Sequence, residues 1–237
     1  MSTNAHQPTM KRFVDKGGAD FYPTPAWATH ALIDNEEFRG SIWEPACGNG
    51  AMSEVLKLTG NSVLSTDLHD YGWGCTDVDF LGDLSFVPSD NIVTNPPFNL
   101  AEEFVRKALE LANRKVAMLL RLAFLEGQDR AKGLFTTAPP TRVWVFSERI
   151  TFYPSGIQTA GSGTMAYAWF VWDLKYPTGK TELNWLKPGY KAMHGDKKNE
   201  GRNRQTKRTP AVPPLVPNGS GEIPLPEGDM SGVWIPE

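Results

Sequence analysis

The architecture follows from one segment, Ile42-Trp43-Glu44-Pro45-Ala46-Cys47-Gly48-Asn49-Gly50. A short apolar stretch ends at an acidic residue and enters a turn with two glycines, and a helical pattern follows from Ala51. Glycine lets the backbone bend sharply and approach a ligand without a Cβ collision. This order of strand, glycine turn and helix predicts the first unit of a parallel α/β sheet, with a ligand crevice where the strand ends.

Strands and helices alternate along most of the remaining chain. The pattern predicts strands over 41–44, 61–66, 91–94, 116–120, 142–146 and 165–172. It predicts helices over 51–58 and 100–112, and another that begins at Pro25 with Thr24 as its N-cap. We therefore expect a Rossmann-like α/β fold with a seven-stranded, mostly parallel sheet, in which 165–172 belongs to an antiparallel edge pair.

The composition excludes several classes of protein. Of the 237 residues, 40% are hydrophobic and eight are tryptophan, which is enough for one sizeable core. The longest apolar run covers eight residues, 165–172, whereas a membrane span needs about 20. The N-terminus lacks the pattern of a secretory signal, and the two cysteines suggest neither a disulfide scaffold nor zinc. We therefore expect a cytoplasmic protein without a metal site.

Charge and composition divide the chain into three parts. Residues 1–19 are polar and predicted flexible, 20–193 form the folded domain, and 194–237 form a basic and then proline-rich flexible tail. Residues 175–208 hold ten Lys and Arg against three Asp and Glu, although the whole chain has a net charge of −3. This basic stretch suits either a phosphate backbone or a solvated tail, and the sequence leaves both open.

The glycine turn is typical of a nucleotide-like ligand with a cationic end. Asp67 follows Gly50 by 17 residues, at the end of the next predicted strand, where an acid can reach a ribose. A dinucleotide site would have a third glycine where this chain has Ser53. Glu44 at the strand end is itself an anion, which suits an amino or sulfonium group better than a pyrophosphate. A purely structural turn remains the alternative.

A second motif, Asn95-Pro96-Pro97-Phe98, lies between the third predicted strand and a long helix. A match to this pattern arises by chance in about one chain of this size in a hundred. The Asn95 amide oxygen and the Pro96 carbonyl can accept hydrogen bonds from an amine, and two prolines keep the loop stiff. Phe98 offers a ring on which a planar base can stack. The motif therefore suits a planar ring with an exocyclic amino group.

With Phe21-Tyr22-Pro23-Thr24-Pro25 ahead of the first strand, the order of motifs resembles that of class I methyltransferases acting on amino groups. More closely, residues of about 20–190 resemble small phage- or prophage-type DNA N6-adenine methyltransferases. This resemblance includes two further stretches, Ala117-Met118-Leu119-Leu120-Arg121-Leu122-Ala123-Phe124-Leu125-Glu126-Gly127 and Trp169-Phe170-Val171-Trp172.

The resemblance implies S-adenosylmethionine as cofactor, DNA as partner and direct methyl transfer to a flipped-out adenine. Asn95, Pro96, Pro97 and Phe98 would form the catalytic loop. The residues implied at the cofactor are Tyr22, Thr24, Pro25, Glu44, Pro45, Ala46, Gly48, Gly50, Asp67, Leu68, Asp79, Phe80 and Asn95, with Asp83 as an alternative to Asp79. The residues expected at the substrate are Phe98, Arg121, Arg149 and Phe152.

The expected chemistry leaves several substrates open. The same motif serves cytosine N4 in DNA, adenine N6 or guanine N2 in RNA, and glutamine amides in proteins. No segment is large enough for a separate target-recognition domain, so sequence preference would come from the loops 126–132 and 147–163. A non-enzymatic DNA-binding or anti-restriction protein on the same fold is the alternative from another class. A phage origin would place the protein in the cytoplasm of a bacterial host.

Overall fold

A computed structural model describes residues 22–83, 89–153 and 165–195. The strands are β1 Ile42–Glu44, β2 Val63–Ser65, β3 Ser89–Thr94, β4 Ala112–Arg121, β5 Arg142–Phe146, β6 Tyr167–Asp173 and β7 Glu182–Leu186. The helices are α1 Ala26–Ile33, α2 Ala51–Leu56, α3 Ala101–Leu111, α4 Gln128–Lys132, α5 Leu134–Thr137 and α6 Tyr190–His194. Short 3₁₀ turns cover Lys57–Thr59, Phe98–Leu100 and Leu122–Leu125.

The strands form one sheet in the order β2-β1-β3-β4-β6-β5-β7. Neighbours pair in parallel except at β6, which runs antiparallel to both β4 and β5. The predicted Rossmann-like α/β class, with seven strands in a mostly parallel sheet, is confirmed. Because β1 to β5 all point the same way, they end at one side of the sheet, which we call the carboxyl edge.

Three local predictions differ from the structure. The antiparallel strand β6 lies inside the sheet, and β7, which the sequence reading did not locate, forms the edge beside β5. Thr24 is not a helix cap: Pro25 precedes α1 and no side chain caps that helix. The short helices α4 and α5 lie in a stretch for which no element was predicted. The predicted flexible ends, 1–19 and most of 194–237, lie outside the described residues.

Two apolar layers cover the two faces of the sheet. Alternate residues of a strand point to opposite faces, and β4 shows this directly. Its Val116, Met118 and Leu120 belong to one buried cluster with α3, whereas Ala117 and Leu119 belong to the other cluster with α1. Burying both faces requires the continuous apolar run that β4 and β6 carry, which is why these two strands sit at the centre.

A buried ion network fixes the opposite, amino side of the sheet. The Glu36 carboxylate is almost fully buried and accepts hydrogen bonds from Arg142, Lys115 and the Trp144 indole. These partners hold the pKa of Glu36 below its usual value against the opposing effect of burial. The network ties the turn after α1 to β4 and β5 and holds the sheet together at the edge away from the predicted site.

Within the described part of the chain, no helix combines the length and the apolar character needed to cross a membrane.

Candidate active site

Four strand ends bring the predicted site residues to the carboxyl edge. Glu44 ends β1, Asp67 lies two residues beyond β2, Asn95 directly follows β3, and Arg121 ends β4. These strands are adjacent and parallel, so residues far apart in sequence meet along one line. A crevice at this edge is where open α/β sheets bind ligands.

The glycine turn has the backbone geometry that only glycine adopts without strain. Gly48 has a φ of 52° and Gly50 a φ of 79°, and Gly50 is the residue that precedes α2. The Gly48 amide donates to Asp67 Oδ2 at 2.8 Å, and the His69 amide donates to Oδ1 at 2.9 Å. Asp67 therefore fixes the turn, and each carboxylate oxygen keeps a further lone pair for a ligand hydroxyl.

Trp73 packs directly on this turn, a contact that the sequence reading missed. A Cβ built on Gly50 would lie 2.3 Å from the Trp73 ring, so only glycine fits beneath the indole. The Lys57 ammonium, in the 3₁₀ turn that follows α2, lies 4.6 Å from the centre of the same ring. The segment that carries Trp73 has no periodic pattern, and no local signal in it points to Gly50.

Glu44 is deeply buried beneath the turn. Its side chain is 2% exposed and accepts a hydrogen bond from the Ser53 hydroxyl, which also lies 2.5 Å from the Ser65 hydroxyl. Burial raises the pKa of Glu44 to about 8, with the negative charge of Asp67 adding to the effect. Glu44 is therefore mostly protonated near neutral pH, and a neighbouring cation would favour its charged form.

Asn95 has one satisfied and one unsatisfied end. Its Nδ2 donates to the Thr24 hydroxyl at 3.1 Å, which joins the Tyr22-Pro23-Thr24-Pro25 segment to the Asn95-Pro96-Pro97-Phe98 motif. Its Oδ1 is buried and has no hydrogen-bond partner among the described residues. A buried acceptor without a partner costs about 1–3 kcal/mol, so the free oxygen marks a position where a ligand donor would bind.

Phe98 lies in an aromatic cluster with Phe152 and Tyr167. The ring centres are 5.9 Å and 5.6 Å from Phe98, and Phe152 is 4.8 Å from Tyr167. The Arg121 guanidinium carbon lies 4.6 Å from the centre of the Phe98 ring. Burial raises the pKa of the Tyr167 hydroxyl, against the lowering effect of Arg121, while nearby Tyr22 adds to the rise. The sequence reading named Arg121 and Phe152 but not Tyr167.

The other residues expected at the cofactor differ in their exposure to solvent. Leu68 is 50% exposed beside Asp67, whereas Phe80 is 2% exposed in the core between Trp43 and Phe104. Asp79 is exposed, and its carboxylate accepts from the Leu81 amide at 3.0 Å. The remaining members lie near the two motifs described above and include buried Pro45 and half-buried Tyr22, Pro25 and Ala46. Phe80 thus supports the core, and the partly buried Leu81 is the more accessible side chain in that segment.

A cleft of about 430 Å³ opens beside Phe98. It is lined by Phe98, Asn99, Ala101, Glu102, Glu103, Arg106, Phe124 and Arg130. Arg130, on α4, donates to the Phe124 carbonyl at 2.9 Å and lies 4.8 Å from the centre of the Phe124 ring. The predicted recognition loop 126–132 therefore borders the predicted catalytic motif at Phe98. Arg149 is exposed, and residues 154–164 of the second predicted loop lie outside the described residues.

Solved structures with a similar fold include three proteins of nucleic-acid modification. A protein assigned as the modification subunit of a type I restriction enzyme from Vibrio vulnificus shares 14% identity, with a TM-score of 0.48 over 73% of this chain and 49% of the other. The M protein of the type I restriction enzyme EcoKI shares 13%, with a TM-score of 0.45 over 63% and 43%. A protein assigned as an RNA methyltransferase from Pyrococcus horikoshii shares 14%, with a TM-score of 0.45 over 62% and 80%.

The chain spans about half the length of the two restriction-enzyme subunits, and at these identities the likeness is one of fold alone. No model of a known protein family matches the sequence, and no curated protein matches it.

Proposed function

We propose that the protein transfers the methyl group of S-adenosylmethionine to the N6 amino group of adenine in DNA. The observation that carries the proposal is the buried, unpartnered Oδ1 of Asn95 at the carboxyl edge. Because Nδ2 is committed to Thr24, the amide is held in one orientation with its acceptor free. An exocyclic amine supplies the donor that this acceptor lacks.

The chemistry follows from where charge develops. An amine conjugated with a ring is a poor nucleophile. Its nitrogen would become positive as its bond to the methyl carbon forms and the carbon–sulfur bond breaks, and it would return to neutral by losing a proton. Asn95 Oδ1 and the Pro96 carbonyl, fixed before the reaction, can accept from the amine and stabilise that charge. Pro96 and Pro97 limit the motion of the loop, so little ordering is needed when the base enters. Phe98 supplies the ring face that positions a planar base.

The glycine turn fits the proposed cofactor. Asp67, held by Gly48, retains lone pairs for ribose hydroxyls, and exposed Leu68 lies next to it for an adenine ring. Glu44, buried beneath the turn, suits the cationic amino or sulfonium group. S-adenosylmethionine would supply an activated methyl group at this edge.

The choice of adenine as the base and of DNA as the nucleic acid is the more specific part of the proposal. This choice rests on the resemblance to small phage-type adenine methyltransferases, because the amine chemistry alone fits cytosine N4 or an RNA base as well. A base in a duplex must be extruded before its amine can reach the site. The cleft beside Phe98 has Arg106 and Arg130 in its lining, and both pair with Glu102 there, so strand phosphates would compete with this carboxylate for the two guanidinium groups.

The test combines a product analysis with one variant and its matched control. The full chain is incubated with labelled S-adenosylmethionine and either unmethylated DNA or RNA, and modified nucleosides are identified by mass spectrometry. We expect N6-methyladenine in DNA. Asn95→Ala should lower the transfer rate by about 10²- to 10³-fold, while cofactor affinity changes little. Asn113→Ala removes an exposed amide at the start of β4, on the amino side, and should leave the rate unchanged.

Each alternative gives a different result. N4-methylcytosine, or label confined to RNA, would overturn the substrate and leave the amine chemistry standing. Cofactor binding without transfer to either nucleic acid would favour a non-enzymatic protein. Full activity in Asn95→Ala would remove Asn95 from the catalytic role.

A further inference from the structure

A second buried polar atom without a partner lies next to the catalytic motif. Among the described residues, Nε of Arg121 is covered from solvent and has no hydrogen-bond acceptor. Hydrogen bonds to charged groups are stronger than neutral ones, and a buried cationic donor that lacks an acceptor is correspondingly costly. A ligand with a hydrogen-bond acceptor would therefore bind favourably at Nε of Arg121.

Arg121 and Asn95 end neighbouring strands. In the parallel register between β3 and β4, Thr94 lies opposite Met118, so Arg121 is level with Pro97, the third residue of the Asn95-Pro96-Pro97-Phe98 loop. The guanidinium is also in contact with Phe98. An unsatisfied acceptor directly after β3 and an unsatisfied donor at the end of β4 therefore lie at neighbouring strand ends, and the side chain that carries the donor contacts Phe98.

The guanidinium leaves room on the Phe98 ring. Stacked carbon atoms lie about 3.5–4 Å apart. The guanidinium carbon is 4.6 Å from the ring centre, so a stacked group at that height is displaced sideways by roughly 2–3 Å. Phe98 also lines the cleft, through which a planar base can approach the ring beside the guanidinium. The edge of the base would then meet the N–H groups of Arg121 nearly in one plane, which is the geometry that a guanidinium fork favours.

We infer that Arg121 determines base specificity by donating a hydrogen bond to the ring nitrogen beside the reacting amine. This inference rests on the proposed function. Asn95 accepts from the amino group and Arg121 donates to its neighbour, a pair that matches N6 and N1 of adenine, or N4 and N3 of cytosine. The Watson–Crick edge is the one that enzymes read on an extruded base. On that edge guanine carries an N–H at N1 beside its amino group, so the Arg121 donor would face a second donor instead of an acceptor.

The surroundings of Arg121 hold it for this role. Tyr167 lies opposite Arg121 in the antiparallel ladder between β4 and β6, and its hydroxyl interacts with the guanidinium. The Tyr167 ring also contacts Phe98. Arg121 is therefore clamped between a hydroxyl and a ring face. A lysine in its place would keep the charge but lose both the planar fork and the stacking.

The test pairs substitutions of Arg121 with base analogues. The substrate is a DNA oligonucleotide that the wild-type protein methylates, remade with 1-deazaadenine at the target position. For the wild type we expect kcat/KM to fall by about 10- to 100-fold on this analogue. On adenine, the kcat/KM of Arg121→Met should be lower than that of the wild type by a similar factor, mainly through a higher KM. Replacing adenine with 1-deazaadenine should then lower the kcat/KM of this variant little further. The analogue also alters the reactivity of the amine. The comparison therefore uses the ratio of kcat/KM on adenine to kcat/KM on 1-deazaadenine, measured for the wild type and for Arg121→Met.

Three controls separate recognition from structure. Arg114→Met removes a guanidinium from the same strand at its amino end and should discriminate like the wild type. With 7-deazaadenine, which keeps N1, Arg121→Met should lose the same factor as on adenine. Arg121→Lys should behave as Arg121→Met does, because the charge alone does not align a donor with N1. Thermal unfolding and S-adenosylmethionine binding of each variant report any loss of folding.

The two proposals fail differently. If the wild type transfers no methyl group to nucleic acid, both are overturned. If it does, but Arg121→Met still discriminates against 1-deazaadenine as strongly as the wild type, only the role of Arg121 is overturned. Where the labelled base is cytosine, 3-deazacytosine replaces the adenine analogue in the same comparison.

Discussion

Glu44→Gln tests the electrostatics of the glycine turn. Burial raises the pKa of Glu44 from 4.5 to about 8 in the folded protein. In the unfolded chain the carboxyl has its ordinary value, so folding takes up a proton between pH 4.5 and 8. The protonated form is the one that the fold favours. The contribution of Glu44 is therefore fully present below about pH 4.5 and is lost as the pH rises towards 8.

The size of the effect follows from the shift. Each pKa unit corresponds to about 1.4 kcal/mol, so the difference between 4.5 and about 8 amounts to roughly 5 kcal/mol over the whole range. Glutamine keeps the shape and an acceptor for Ser53 but does not titrate. The free energy of unfolding of Glu44→Gln relative to the wild type should therefore rise by several kcal/mol between pH 5 and pH 8.

The assay is urea unfolding followed by tryptophan fluorescence at pH 5, 6, 7 and 8, with both proteins measured in the same buffers. Other groups, including Glu36, have their own pH dependence, and the difference between the two proteins removes them. A difference that stays constant from pH 5 to pH 8 would refute the reasoning, because Glu44 would then ionise alike in both states. An unchanged denaturant slope m would confirm that the variant unfolds from the same compact state.

Three further predictions follow from contacts near the site and the core. If Glu44 holds the cationic end of S-adenosylmethionine, as proposed, binding near pH 7 should release protons because the cation favours the charged carboxylate. Equal calorimetric enthalpies in buffers of different ionisation enthalpy would contradict this. Gly50→Ala should destabilise the fold by about 1–3 kcal/mol, since φ is 79° and the new Cβ collides with Trp73. Adding Trp73→Ala should recover part of this loss in the free energy of unfolding. A Gly50→Ala variant as stable as the wild type would exclude the contact. Arg142→Met should cost about 3 kcal/mol by leaving the Glu36 carboxylate underpaired, and adding Glu36→Gln should restore most of it; a cost below about 1 kcal/mol would show that Lys115 suffices.

Local patterns account for what the sequence predicted correctly. The strand, the glycine turn and the helix around Gly50 lie within about fifteen residues, so short-range backbone preferences specify them. The Asn95-Pro96-Pro97-Phe98 motif is likewise local, and it lies between β3 and α3 as predicted; recognition of an amine by this motif stays a prediction. The predicted bounds of these strands and helices therefore agree with the observed bounds to within a few residues, and those of β5 agree at both ends.

Local patterns also explain the misses. The strand β7 is short and mostly exposed, so its apolar residues gave a weak signal amid a polar segment. The alternation of strands and helices predicts a parallel sheet but not the order of its strands, and β6 was accordingly expected at the edge. Phe80 was assigned to the cofactor because position alone does not distinguish a ligand-facing ring from one packed between Trp43 and Phe104.

The sequence by itself determined the α/β class, the glycine turn and the position of the Asn95-Pro96-Pro97-Phe98 motif between a strand and a helix, because each depends on residues that are neighbours along the chain. Only the tertiary structure decided which groups meet at the carboxyl edge. The Thr24 hydroxyl reaches Asn95 across 71 residues, and Tyr167 lies beside Arg121 because β6 inserts next to β4. The free acceptor of Asn95 and the free donor of Arg121 exist only after folding, since burial removes the water that would otherwise satisfy them.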